Sequence, residues 1–430
     1  MLTLKKSNKG RMSRQVFLIV GTCLLLLSGC KQQEETMLPQ AENHPQEEVV
    51  EEVKDYSSFY QTKIQLQRDA PIYTMVDGKP QQSGMAYQGN YFDMAAEAIG
   101  NYVRISGTDL YLEGEALATC DRWFKNQTHL LPYGSELTTK EMYHIENEQG
   151  QVLVELHGET TYPVYVIPNS EDLRYGILFQ NGIYYIKQEE VASETSNDVI
   201  SIGEKGSEIP VLMYHFFYDE SQGESRVDGN YVEAKELDAH LGYLKENGYA
   251  TLTMREVLYF MQNRANIPLH SVAITIDDGD PSVHRVAYPI FQKYGANATL
   301  FLICGWEDPT MSYDFWEMRE DGLELQSHSF LMHQGGCEGM GHGGRILCVD
   351  HATGVEDTKQ AFDYVDGGFV YCYPFGDYNE HAIEIVKEGG AKLAFTTEDG
   401  WIRPGMNLLA LPRVRVHGGN SLEAWINRIR

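Results

Sequence analysis

At 430 residues the chain is long enough for two or three domains of roughly 100–200 residues each. Its 42% hydrophobic and 22% charged residues lie near an ordinary globular average, which excludes a fully disordered chain, a collagen and a multi-span membrane protein. The formal charge is −28, and removing residues 1–29, with five basic groups and no acidic one, leaves −33. So acidic a surface repels phosphate backbones, so no nucleic-acid partner is expected, and no obligate protein partner is evident.

Residues 1–15 are basic, and an apolar run follows from Val16 to Leu27. About 20 apolar residues are needed to span a bilayer, so this run suits the core of a secretory signal at residues 1–29. It ends Leu27-Ser28-Gly29-Cys30, which resembles the bacterial lipobox. That resemblance implies a lipid on Cys30 and an extracytoplasmic protein anchored to the cell membrane. A plain signal peptide cut near Gly29, or a short anchor, is the alternative. Residues 30–60 are acidic, rich in Gln and Glu and poor in apolar residues, and are expected to form a disordered tether. Beyond Cys23 and Cys30, the cysteines are Cys120, Cys304, Cys337, Cys348 and Cys372. The absence of any CxxC pair speaks against a structural zinc site. Cys337 and Cys348 flank a glycine-rich loop, either as a bridge or as separate thiols.

Residues 61–195 read as short strands with alternating Tyr, Val and Ile, broken by turn signals such as DGK and SGT. The segments YVRISGTDLYL (102–112) and YGILFQNGIYYI (175–186) share a strand–turn–strand texture. They resemble SH3-like β units of bacterial envelope proteins, which implies two such units, at 61–125 and 126–195. Exposed tyrosines there would stack on sugar rings; the alternative is that they form core. Residues 193–208 read as a polar linker.

From Ile209 the texture changes. Apolar strand-like runs, PVLMYH (210–215), SVAITIDDGD (271–280) and NATLFLICG (297–305), alternate with helix-period segments at 234–249, 254–264 and 287–295. This is the pattern of an α/β domain with a parallel sheet, and residues 209–430 fit one barrel. In such barrels the C-terminal strand ends carry the chemistry. Asp277 and Asp278 follow one strand directly. Two adjacent carboxylates there are costly without a cation or donors. His328 and His333 follow another strand, in LELQSHSFLMH (323–333). Two imidazoles and a carboxylate make a divalent-metal set with open positions. In FVYCYPFGDYN (369–379), Pro374 and Gly376 form a tight turn that can aim a backbone N–H into a pocket.

TIDDGD (275–280), SHSFLMH (327–333) and YCYPFGDYN (371–379), preceded by PVLMYH, resemble in order and spacing the NodB-homology polysaccharide deacetylases, carbohydrate esterase family 4. The five-residue spacing of the histidines is similar to the branch that deacetylates biofilm poly-N-acetylglucosamine. The resemblance covers residues 209–430 and implies a distorted (β/α) barrel with fewer than eight strands. It implies that Asp278, His328 and His333 hold a divalent metal, zinc or a similar ion, and that Asp277 is the general base. It further implies that the metal and the N–H of Phe375, after Pro374, stabilise the oxyanion. The polysaccharide substrate would contain N-acetylglucosamine, as exopolysaccharide or peptidoglycan, and yield amine and acetate. A non-catalytic glycan-binding lipoprotein and an O-acetyl esterase on xylan-like glycans are the alternatives.

Some positions depart from the family pattern. Cys372 stands where an Arg usually precedes the Pro, and Arg413 or Arg415 is a substitute. His417 is the candidate general acid, against a packing or surface histidine. Trp401 either lines a sugar groove or packs. His215 is expected to be structural, and His342 and His351 to be loop residues.

Overall fold

The computed structural model describes residues 54–118, 120, 127–196, 203–305, 315, 318 and 323–430. The signal segment, Cys30 and the tether up to residue 53 lie outside them. From residue 54 the acidic segment is structured, contrary to a tether running to Tyr60. The Tyr56 ring is 8% exposed and lies against Gly114, where an added Cβ would come within 2.4 Å of it. One aromatic side chain buried in this way ends the solvated character that its acidic neighbours suggest.

Apart from two 3-10 turns, Gly114–Ala116 and Gln188–Glu190, the regular elements among the described residues from Lys63 to Ser196 are strands, joined in one thirteen-stranded sheet. The Lys79–Ala86 and Val152–His157 strands pair antiparallel, with Met85 opposite Glu155. They therefore link the stretches before and after residue 125. A single apolar cluster runs through both, from Ile64, Ile72 and Phe92 to Leu137, Val154 and Ile177. The expected linker begins as the Val191–Ser196 strand, paired with Ser135–Thr139. Its polar side chains need no core because this strand lies at the sheet's edge.

Residues 209–430 form the barrel. The strands Val211–Tyr214, Leu411–Arg415, Leu393–Asp399, Val370–Cys372, Leu323–Ser327, Ala298–Leu302 and Ser271–Ile276 are neighbours in that order. All pair in parallel, and Val211–Tyr214 pairs with Ser271–Ile276 to close the ring. The short Ala250–Leu252 strand adds to the start of Ser271–Ile276. The strands are buried on both faces, as near-continuous Val, Ile and Leu runs predict. Alternate residues divide between two clusters. Leu212, Ile274 and Val414 pack with helices Ala234–Glu246 and Tyr288–Tyr294. Val211, Ala273, Phe301, Phe395 and Leu411 pack with Leu130, Val166 and Tyr185 of the β region.

The β region therefore docks at the start of the barrel. Glu256, 5% exposed, is the polar centre of that contact. Its Oε1 accepts from Thr128 Oγ1 at 2.9 Å and His129 N at 2.6 Å, while its Oε2 accepts from Thr253 N at 3.0 Å. The last bond is half of the capping box that starts helix Met254–Met261. The Tyr185 and Tyr259 hydroxyls meet at 2.6 Å nearby. Glu256→Ala removes the acceptor of three part-buried donors at once and is expected to cost about 3 kcal/mol in denaturant unfolding. A loss below about 1 kcal/mol would show that the junction does not depend on this carboxylate.

Candidate active site

Asp277 continues the Ser271–Ile276 strand, its N–H donating to the Tyr214 carbonyl at 3.0 Å. The backbone then turns sharply. Asp278 has φ +77°, a left-handed conformation that costs an ordinary residue about 1–2 kcal/mol. This turn sends the two neighbouring carboxylates to different places.

Asp277 points into the ring with Thr275 and Ala273. It is 2% exposed and meets Arg413, 1% exposed, which stands inside the ring two residues after Leu411. The guanidinium binds both oxygens, Nη1 to Oδ1 and Nη2 to Oδ2, each at 2.7 Å. Its remaining donors reach Thr275 Oγ1 at 3.1 Å, the Thr396 carbonyl at 3.0 Å and Cys372 Sγ at 3.1 Å. Burial alone would raise the Asp277 carboxyl. The guanidinium overrides it and holds the group well below the ordinary carboxylate range. Arg413, one of the two named substitutes, thus occupies the place opened by Cys372. Arg415 instead reaches Asn230 Oδ1.

Asp278 faces the histidines. Its Oδ1 lies 3.4 Å from Nε2 of His328 and 3.4 Å from Nε2 of His333. His328 is 3% exposed, and its Nδ1 lies 2.8 Å from the Cys372 carbonyl. A carbonyl only accepts, so Nδ1 carries a proton. Burial disfavours the charged ring, but Cys372 and Asp278 hold its pKa well above the usual imidazole value. With no ion bound, Nε2 is therefore also protonated toward Asp278, and a cation would take that proton's place. Burial first, then the nearby His328, push the His333 imidazole down to about 4, so it is neutral at pH 7. Asp278 Oδ1 and the two Nε2 atoms thus converge on one point from three sides, a ligand set that fits a divalent cation once the His328 Nε2 proton is displaced. A second group, Asp277, His328 and Cys372, is also close-set. Arg413 already donates to two of its three members, and burial raises the Cys372 thiol, so it does not fit an ion.

The loop between the histidines is fixed by Asp357 of helix His351–Tyr364. This carboxylate, 6% exposed, accepts from Phe330 N at 3.0 Å and Leu331 N at 2.6 Å. Ser329 Oγ accepts from Met332 N at 3.2 Å. Five-residue spacing therefore delivers His333, while Met332 is buried at 2% exposure.

Beyond Val370–Cys372, Pro374 starts a tight turn in which Phe375 has φ +61° and Gly376 φ +75°. A Cβ on Gly376 would sit 2.0 Å from Thr397 Oγ1, so the turn needs glycine there. The Phe375 ring lies 4.5 Å from that of His333. A cleft of about 420 Å³ results, lined by Asp277, Asp278, His328, His333, His215, Phe375, His342 and Arg415, among others. A larger crevice of about 870 Å³ lies at the junction with the β region. Its charged lining is held in ion pairs such as Arg264–Asp172 at 3.2 Å, and no metal-ligating set forms there among the described residues.

Two expected residues are not brought to the cleft. His417 lies two residues past Arg415, exposed, beside Gly229 rather than in the cleft lining. Trp401 packs against the helical side of the barrel, with Nε1 donating to the Arg428 carbonyl at 3.1 Å. Conversely, His215 lines the cleft although a structural role was expected. Its Nδ1 is buried with no hydrogen-bond partner, and burial lowers its pKa despite nearby Asp277 and Asp278. Its position just after the Val211–Tyr214 strand was the available signal. Asp357 and His342 carried none.

Residues 265–394 match the polysaccharide deacetylase family model. The Bacillus subtilis (strain 168) protein YxkH, itself assigned as a polysaccharide deacetylase, is 31% identical over 229 residues, 52% of this chain and 76% of the relative. The chain belongs to the polysaccharide deacetylase family. Its barrel is of the NodB type, and its class is that of amide hydrolases. The Staphylococcus aureus (strain MRSA252) poly-beta-1,6-N-acetyl-D-glucosamine N-deacetylase is 27% identical over 211 residues, 46% of this chain and 71% of the relative. Among solved structures, the Streptococcus pyogenes deacetylase PplD in complex with acetate is 26% identical, with a TM-score of 0.46, covering 52% of this chain and 99% of that one.

In this deacetylase, Asp357 touches no proposed ligand atom but sets the loop that carries two of them. Asp357→Asn is expected to weaken zinc binding roughly tenfold in titration calorimetry, as outer-sphere changes do. Unchanged affinity would show that the loop holds its shape without the carboxylate.

Proposed function

We propose that the protein is a metal-dependent N-deacetylase of an extracytoplasmic polysaccharide containing N-acetylglucosamine. The observation that carries this reading is the separation of roles between adjacent carboxylates: Asp277 paired with Arg413, Asp278 facing two imidazole nitrogens. The name of the staphylococcal relative supports poly-N-acetylglucosamine as the polymer. The Cys337–Cys348 disulfide supports an oxidising compartment, consistent with a secreted, Cys30-lipidated chain.

In this reading Asp278, His328 and His333 hold the ion, zinc being well matched to one carboxylate and two imidazoles. When bound, the ion supplies Lewis acidity to the acetamide carbonyl and to a water. Asp277 is the general base. Its carboxylate stays ionised at any working pH and takes the proton from the attacking water, while Arg413 holds it in one orientation. The Phe375 N–H, set by the Pro374–Gly376 turn, donates to the developing oxyanion. The proton that Asp277 takes up goes on to the leaving amine; His215 lines the cleft beside it and orients the amide, while His417 stands outside the lining. The products are acetate and a free amine on the sugar.

Acetate release from poly-N-acetylglucosamine, peptidoglycan and acetyl-xylan by zinc-loaded protein tests this. Release is expected from the first. Asp277→Asn is expected to lower kcat about a thousandfold and His215→Ala about a hundredfold, with His417→Ala near wild type. Equal release by wild type and Asp277→Asn would contradict the assignment, and preference for acetyl-xylan would make the protein an esterase.

A further inference from the structure

The glycine-rich segment after His333 is more ordered than its composition suggests. Cys337 and Cys348 are bonded, closing residues 337–348 into a loop. Within it, Gly336 N and Cys337 N both donate to the Gly343 carbonyl, at 3.0 and 3.1 Å. Arg345 N donates to the Gln334 carbonyl at 2.9 Å, tying the loop to the residue after His333.

The loop converges on one side chain, Asp377, which lies just after the Pro374–Gly376 turn. Its carboxylate, 5% exposed, accepts from His342 N at 2.8 Å, Gly344 N at 2.8 Å and His342 Nδ1 at 2.9 Å. Gly341 has φ +46°, and a Cβ there would lie 2.3 Å from Asp377 Oδ1. The loop must therefore be glycine at that point for the carboxylate to reach the His342 N–H. The ring held by this arrangement is 72% exposed and lines the cleft above the buried Asp277 and His328. An exposed imidazole usually turns freely. Here the backbone N–H and Nδ1 share one buried acceptor, which fixes the ring and leaves Nε2 as its other hydrogen-bonding atom. Phe375 lines the same cleft and lies against Gly344 of this loop, its Cδ2 3.2 Å from where a Gly344 Cβ would be. An oriented imidazole and an exposed aromatic ring in one cleft suit a pyranose, whose hydroxyls hydrogen-bond and whose C–H face stacks.

We propose that His342 is a substrate-binding residue, held by Asp377 and the disulfide-closed loop, that hydrogen-bonds a sugar residue of the polymer at the cleft mouth. Asp377 is its positioning residue. The Cys337–Cys348 bond then sets affinity for the chain and not the chemistry at the cleft floor. This inference rests on the deacetylase reading for its substrate, so binding and turnover are to be measured separately.

The test uses the full chain loaded with zinc and pentameric N-acetylglucosamine. His342→Ala is expected to raise KM roughly three- to tenfold, the worth of one neutral hydrogen bond, with kcat within about twofold. His342→Gln, which keeps a polar terminus, is expected to recover part of the loss. Phosphine reduction of the disulfide is expected to raise KM for wild type by a similar factor and to add little in His342→Ala. Calorimetric affinity of the pentamer for Asp277→Asn, with and without His342→Ala, reads the same contact without turnover. Pentamer binding without acetate release in wild type would sink the deacetylase reading alone. Equal affinity with and without His342, or a fall in kcat at constant KM, would overturn the role of His342. Reduction effects that simply add to those of His342→Ala would overturn the link between the disulfide and the imidazole.

Discussion

The Arg413–Asp277 pair inside the barrel is the interaction on which the site depends. A buried carboxylate is expensive unless paired and fully hydrogen-bonded. Here the guanidinium satisfies both oxygens and spends its other donors on Thr275, Thr396 and Cys372. The strands Ser271–Ile276, Val370–Cys372 and Leu393–Asp399 are thereby tied to Leu411–Arg415 inside the ring. The same pair keeps Asp277 ionised in a place where burial would otherwise protonate it, so a structural tie also keeps a base ready.

That pairing also defines the neighbouring ion site. With Asp277 and Cys372 engaged by Arg413, the next carboxylate is left to face His328 and His333. The left-handed turn at Asp278 makes this division possible, because a regular extended continuation would carry its side chain to the outer face of the ring, away from the histidines. The Cys372 residue contributes twice, through its sulfur to Arg413 and its carbonyl to His328 Nδ1. A departure from the family pattern in sequence is therefore compensated within one network. The guanidinium comes from Leu411–Arg415, a strand two places around the ring from Val370–Cys372.

Strand runs ending in acidic or histidine residues made the barrel and its mouth legible in sequence. Buried parallel strands are continuous apolar runs, and chemistry collects where they end. Asp277, Asp278, His328 and His333 needed only that rule together with the motif order. The β region was legible as strands, but its sheet pairing across residue 125 was not, because pairing partners are set by register and not by composition. Tyr56 was hidden among acidic neighbours for a similar reason: a single buried ring outweighs a polar window. His417 and Trp401 sit near the motifs in sequence yet outside the cleft, since two residues past a strand end are enough to turn a side chain away. His215 was undervalued because a lone histidine after an apolar run is most often structural, and only the closure of Val211–Tyr214 against Ser271–Ile276 brings it beside Asp277. The support from Asp357 and Asp377 comes from helix and loop contacts across 26 and 35 residues, beyond any local pattern.

The most direct test of the central claim is a crystal structure of the zinc-soaked protein with anomalous scattering recorded at the zinc edge. One peak is expected, about 2.0–2.2 Å from Asp278, His328 Nε2 and His333 Nε2, with Asp277 still bidentate on Arg413. A peak bonded to Asp277 and Cys372 with Arg413 displaced, or no peak at the cleft in zinc-saturated crystals, would contradict the division of labour between the two carboxylates.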